Sequence, residues 1–121
     1  MTNWYAVAVG FVVMTVIGVI GLAIPGLGQL TAGLVGGFVA GYMAAGGVGR
    51  GAWHGLLAGS LGGIVVAILL GVAVSALGAV GLGPLGPLLG GSIFFVGVVL
   101  ALVMGLESAV AGAVGAWVAE E

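Results

Sequence analysis

The sequence predicts an all-α integral membrane protein: one transmembrane domain, residues 1–121, of about four helices packed through small-residue (glycine-zipper) faces. Three observations predict it. Of 121 residues, 63% are hydrophobic and only 3% charged, with a mean hydropathy of +1.50. A soluble domain carries about a quarter charged residues to cover its surface, so Arg50, Glu107, Glu120 and Glu121 cannot build a water-facing shell. The apolar residues fall into runs long enough to cross a hydrocarbon core of about 30 Å. Within those runs the 28 glycines recur at four-residue spacing.

The first span is expected over residues 4–24. It lacks a basic leading region and a small-residue cleavage pattern, so it reads as a retained helix rather than a signal peptide. Trp4 and Tyr5 stand where an interfacial aromatic anchor belongs. Pro25-Gly26-Leu27-Gly28 then breaks the helix. A second span covers 29–45 and closes at Gly46-Gly47-Val48-Gly49-Arg50-Gly51, the most polar loop of the chain. A third is expected over 52–77. The segment Gly81 to Pro87 reads as a loop, and a fourth span covers 88–106. Residues 107–121 either prolong the last helix or form a separate short C-terminal helix or tail at the membrane surface. Arg50, backed by His54, places its loop on the cytoplasmic side, and four spans put both termini there too.

Spacing matters more than glycine count. Gly33, Gly37 and Gly41 fall four apart in the second span; Gly55, Gly59, Gly63, Ala67, Gly71 and Ser75 do so in the third. Gly97, Ala101 and Gly105 continue in the fourth, with Ser108, Gly112 and Ala116 beyond. Residues four apart share a helix face, and in lipid helices associate through close contacts at such small-residue surfaces. These glycines are the expected helix-packing residues. The segments 32–37, 58–63 and 111–116 share a small-small-x-x-small-small pattern, read as a common packing surface rather than an inverted repeat.

The stretches Gly18 to Gly28, Gly36 to Tyr42 and Gly51 to Gly59 resemble a family of small, glycine-rich, multi-pass membrane proteins of unknown function in halophilic archaea. Glu107-Ser108-Ala109, followed by Gly112 and Gly115, is similar to that family's closing segment. The resemblance implies a haloarchaeal cell membrane and brings no activity, substrate or catalytic residue with it.

Few residues are left for chemistry. The chain has no cysteine and no aspartate, which excludes thiolate metal sites and a Ser-His-Asp triad. No lysine follows a glycine-rich stretch, so there is no phosphate loop. One arginine gives no cationic footprint for nucleic acid. No cofactor, metal or catalytic residue is therefore expected, and the protein reads as no enzyme. Arg50, His54 and Glu107 remain as an ion pair or ion site. A carboxylate at the bilayer centre costs roughly 2.5–3.5 kcal/mol, so Glu107 reads as an interfacial group, solvated or paired with Arg50, or as a proton- or sodium-binding carboxylate. His54, beside Trp53, reads as interfacial.

The function expected is structural: an assembly protein that packs by its glycines and forms a homo-oligomer or a docking surface for a partner membrane protein. An oligomeric channel or ion pathway through Glu107, and an accessory subunit of a larger complex, are the alternatives.

Overall fold

In the computed structural model, which describes residues 1–24 and 26–121, four helices run up and down in sequence order. Helix α1 spans Trp4–Ile20 and ends in a single 3-10 turn, Gly21–Ala23. Asn3 caps it, its side chain accepting from the Ala6 N–H at 3.2 Å. Helix α2 spans Leu27–Ala44, α3 Val48–Leu82 and α4 Leu85–Glu120. All four are long and apolar enough to cross a membrane. Of the expected break at Pro25 to Gly28, Pro25 lies outside the described residues, and Gly26 turns the chain at φ +86°.

Two expectations about element bounds are corrected. The segment 81–87 is not a loop: α3 continues to Leu82, one turn at Gly83 (φ +62°) reverses the chain, and α4 begins at Leu85. Pro84 precedes the first turn of α4 and Pro87 sits inside it. The first four N–H groups of a helix have no partner within it, so a proline there removes no hydrogen bond. Of the alternatives for residues 107–121, the structure takes the one in which they prolong the last helix, since nothing between Glu107 and Glu120 breaks the pattern and α4 runs straight through. At the other end, Gly46 and Gly47, both at positive φ, make the turn early enough for α3 to start at Val48 rather than 52.

Helix α2 lies between α1 and α4, and α3 packs along α4 for its whole length; α1 and α4 do not touch among the described residues. Two offset small-residue rows let α2 serve both neighbours. Gly33, Gly37 and Gly41 face Glu107, Ser108 and Gly112 of α4. One position over, Gly36 and the buried Ala40 face Gly10 and Met14 of α1. A side chain on either row would push a helix away. A Cβ at Gly41, for example, would stand 2.6 Å from the Gly112 Cα. The buried positions are correspondingly small: Ala6, Val7, Ala32, Ala40, Ala58, Ala67, Ala101 and Ala116, while the large aliphatic side chains point outward. That inversion of the soluble pattern suits a lipid-facing surface.

At 1.5 Å per residue, the 17 and 18 residues of α1 and α2 extend about 27 Å, and the 35 and 36 residues of α3 and α4 about 53 Å. The two short helices therefore cover only the half of the α3–α4 hairpin near the termini. In the far half α3 and α4 pack on each other alone, through Gly71 against Phe94 and Gly78 against Gly86. They leave an open apolar groove of about 540 Å³ over Gly71, Ser75, Gly90 and Gly91.

Candidate functional site

Polar side chains gather at two levels. The first is the end of the bundle that holds both termini. Here the chain start is stitched to α3: the Trp53 indole N–H donates to Thr2 Oγ1 at 3.1 Å, and the Asn3 N–H donates to His54 Nε2 at 2.7 Å. The other ring nitrogen, Nδ1, lies 2.7 Å from the Arg50 carbonyl oxygen. A backbone N–H can only donate, so Nε2 must be the acceptor, and Nδ1 carries the proton that Arg50 O accepts. His54 is thus a neutral Nδ1-H tautomer with both nitrogens committed to backbone groups, and at 1% exposure it is buried against its own chain. The Arg50 side chain is exposed and lies along Gly46. All three tryptophans and both tyrosines of the chain, Trp4, Tyr5, Tyr42, Trp53 and Trp117, stand exposed around this same end.

The second level is half-way along α2. The Glu107 carboxyl reaches the α2–α4 seam, where a Cβ at Gly33 would stand 3.1 Å from Oε1. Oε1 is enclosed and has no hydrogen-bond partner among the described residues, whereas the side chain as a whole is only partly buried. Ser108 is fully buried beside it, wedged between Gly37 of α2 and Gly59 of α3, and its hydroxyl also lacks a partner. Elsewhere Thr15, Thr31 and Ser92 each donate to the carbonyl four residues earlier, at 2.8, 2.8 and 3.0 Å. Ser108 does not, because its oxygen is turned into the three-helix junction.

Arg50, His54 and Glu107 are not brought together. Gly51, next to Arg50, packs at Gly112 and Ala116 of α4. Nine residues of helix, about 13 Å, separate Glu107 from Ala116. The expected place of Glu107 near the end of its helix followed from ending that helix at 106; the continuation to Glu120 moves it to mid-height.

The ten glycines expected at helix contacts all lie against another helix. Gly33, Gly37 and Gly41 face α4; Gly55, Gly59, Gly63 and Gly71 face α4 from α3; Gly97, Gly105 and Gly112 face α3 from α4. Gly36 and Gly115, small positions of the shared pattern, also lie against another helix, as do Gly10, Gly51, Gly86 and Gly90, which the spacing did not single out. Asn3 was also missed, although an Asn directly before an apolar run is a helix-start signal.

The comparisons with known proteins are brief. A family model described as a family of unknown function (DUF5518) matches residues 4–118. No curated protein and no solved structure matches the chain.

Proposed function

Because the chain belongs to the family of unknown function DUF5518, a membership that brings no activity with it, we propose a role from the geometry: a structural, assembly-forming membrane protein whose helices associate by glycine-zipper packing and which forms a homo-oligomer. The observation that carries the reading is the backbone-to-backbone approach at glycine along each main helix pair: Gly10 with Gly36, Gly41 with Gly112, and Gly55 with Gly112. Where hydrocarbon replaces water, such close approach supplies the dispersion contacts on which helix association depends. The residues able to do chemistry serve the same end. His54 spends one nitrogen tying the chain start to α3 and the other on the Arg50 carbonyl of its own helix, and Glu107 stands a dozen ångströms along α4 from the level of Arg50.

We read the ring of Trp and Tyr at the terminal end as one membrane–water interface, and Arg50 in that ring supports a cytoplasmic side for it. The haloarchaeal cell membrane implied by the sequence resemblance is the setting we assign. Reconstitution into liposomes tests the reading. Proton, sodium and small-solute flux should not exceed that of protein-free vesicles. Flux that Glu107→Gln abolishes would replace this role with the second one, an ion pathway, which the unpartnered Glu107 Oε1 at mid-depth favours.

A further inference from the structure

The Glu107 carboxyl fills the space that Gly33 leaves on α2, with Oε1 enclosed and unpartnered among the described residues. No charged or titratable group of a neighbouring helix stands at that level. On α2 the one titratable side chain is Tyr42, whose backbone nitrogen faces Gly115, eight residues and about 12 Å along α4 from Glu107. On α3 they are Arg50 and His54, at the terminal end, and His54 is neutral with both ring nitrogens engaged. On α4 itself they are Glu120 and Glu121, at its far end. Helix α1, with Tyr5 and the chain start, does not touch α4. The polar groups of α2 nearby are committed elsewhere: Gln29 Nε2 donates to Gly18 O at 3.3 Å, and Thr31 Oγ1 to Leu27 O at 2.8 Å. Ser108 turns its hydroxyl between Gly37 and Gly59.

A carboxylate in this seat has neither counter-ion nor donor, and acyl chains around the bundle supply none. Burying an unpaired charge costs far more than burying the neutral acid, and inside a membrane an ionised side chain needs a partner or a watered cavity. The neutral acid is the form that the closed seam accepts. From this we infer that Glu107 is a proton-binding site, and that the bound proton is what lets α2 close on α4 at Gly33. Once ionised, the group has to leave its seat for water or a cation, and the two helices part where it stood. The inference is independent of self-assembly, since a single chain carries every part of it.

The full chain reconstituted in lipid vesicles tests it. Dicyclohexylcarbodiimide dissolves in lipid and attacks a carboxyl only in its protonated form. At neutral pH it should modify Glu107, located by peptide mass, and leave Glu120 and Glu121 untouched. Infrared spectroscopy should show a neutral-acid carbonyl band that Glu107→Gln removes. The chain has no native cysteine, so spin labels on Leu34→Cys and Val110→Cys, both exposed, report the distance between α2 and α4. Over the alkaline range in which the acid band disappears, that distance should widen in the wild type. It should stay constant in Glu107→Gln, whose amide keeps the neutral form. Helix content by circular dichroism checks that Glu107→Gln is folded; if it is not, the wild-type adduct and distances decide alone. A wild type in which the carbodiimide leaves Glu107 untouched and no acid band is seen overturns the proton site. A band that disappears while the distance holds overturns its coupling to the seam.

Discussion

A single methyl group at Gly41 should destabilise the bundle, because it would meet backbone on the facing helix. Built on the existing backbone, a Cβ there stands 2.6 Å from the Gly112 Cα and 2.5 Å from its carbonyl carbon. Non-bonded carbons prefer about 3.5–4.0 Å, so α2 and α4 must part by roughly 1 Å at this crossing. Both contacting atoms are backbone, which cannot swing aside as a side-chain end would. A gap of 0.5–1 Å forfeits about a quarter to a half of each dispersion well nearby, and overpacking of this kind costs about 1–3 kcal/mol. Taking about 2 kcal/mol, the folding equilibrium of Gly41→Ala falls about 30-fold. Gly91→Ala is the control: its Cβ meets nothing within 4 Å, and alanine is the better helix former by up to about 1 kcal/mol. Reversible unfolding in mixed dodecylmaltoside–SDS micelles measures both. Equal midpoints for the two variants would refute the claim that the α2–α4 seam tolerates no side chain.

Three further changes probe other parts of the structure. Ala45 sits at φ +46°, ψ −177°, in a region costly for any residue with a Cβ; Ala45→Gly should stabilise the protein by about 1 kcal/mol in the same assay. His54→Phe removes the acceptor for the Asn3 N–H and the donor for Arg50 O, and should destabilise by about 1–3 kcal/mol while exposing residues 1–3 to faster amide exchange. The α3–α4 hairpin, about 53 Å long, would need a tilt of roughly 55° to hide in a 30 Å core, beyond the ~40° upper end of observed tilts. A cysteine at its crest, Leu82→Cys, should therefore react with a membrane-impermeant maleimide from the side opposite the termini; no labelling from either side would put the crest inside the lipid.

What the sequence made legible was the kind of surface, and what it hid was which surface meets which. The Gly33-Gly37-Gly41 row stood out because its glycines fall four apart, and it does face α4. The parallel row through Gly36 and Ala40, which faces α1, was masked because alanine and glycine at one-residue offsets blur into one small-residue band. Pro84 and Pro87 were read as helix breakers because proline is costly in a helix interior, yet in the first turn they begin a helix. That misreading shortened the third and fourth spans together. Ending the fourth span at 106, a separate misreading, placed Glu107 at a membrane edge. His54 was read from its neighbour Trp53, but its environment is set by Asn3, 51 residues away in sequence, and no local pattern carries a contact of that range. Ser108 belonged to a recognised small-residue row, and only the three-helix junction shows that its hydroxyl is enclosed without a partner.

The central claim is that this chain, its helices packed on one another through small residues, assembles with copies of itself, and native mass spectrometry after gentle extraction from its own membrane tests it most directly. The account predicts one species whose mass is a whole multiple of 11.5 kDa, free of any other protein. A lone 11.5 kDa monomer, or one copy carried along with a larger and different membrane protein, would contradict it.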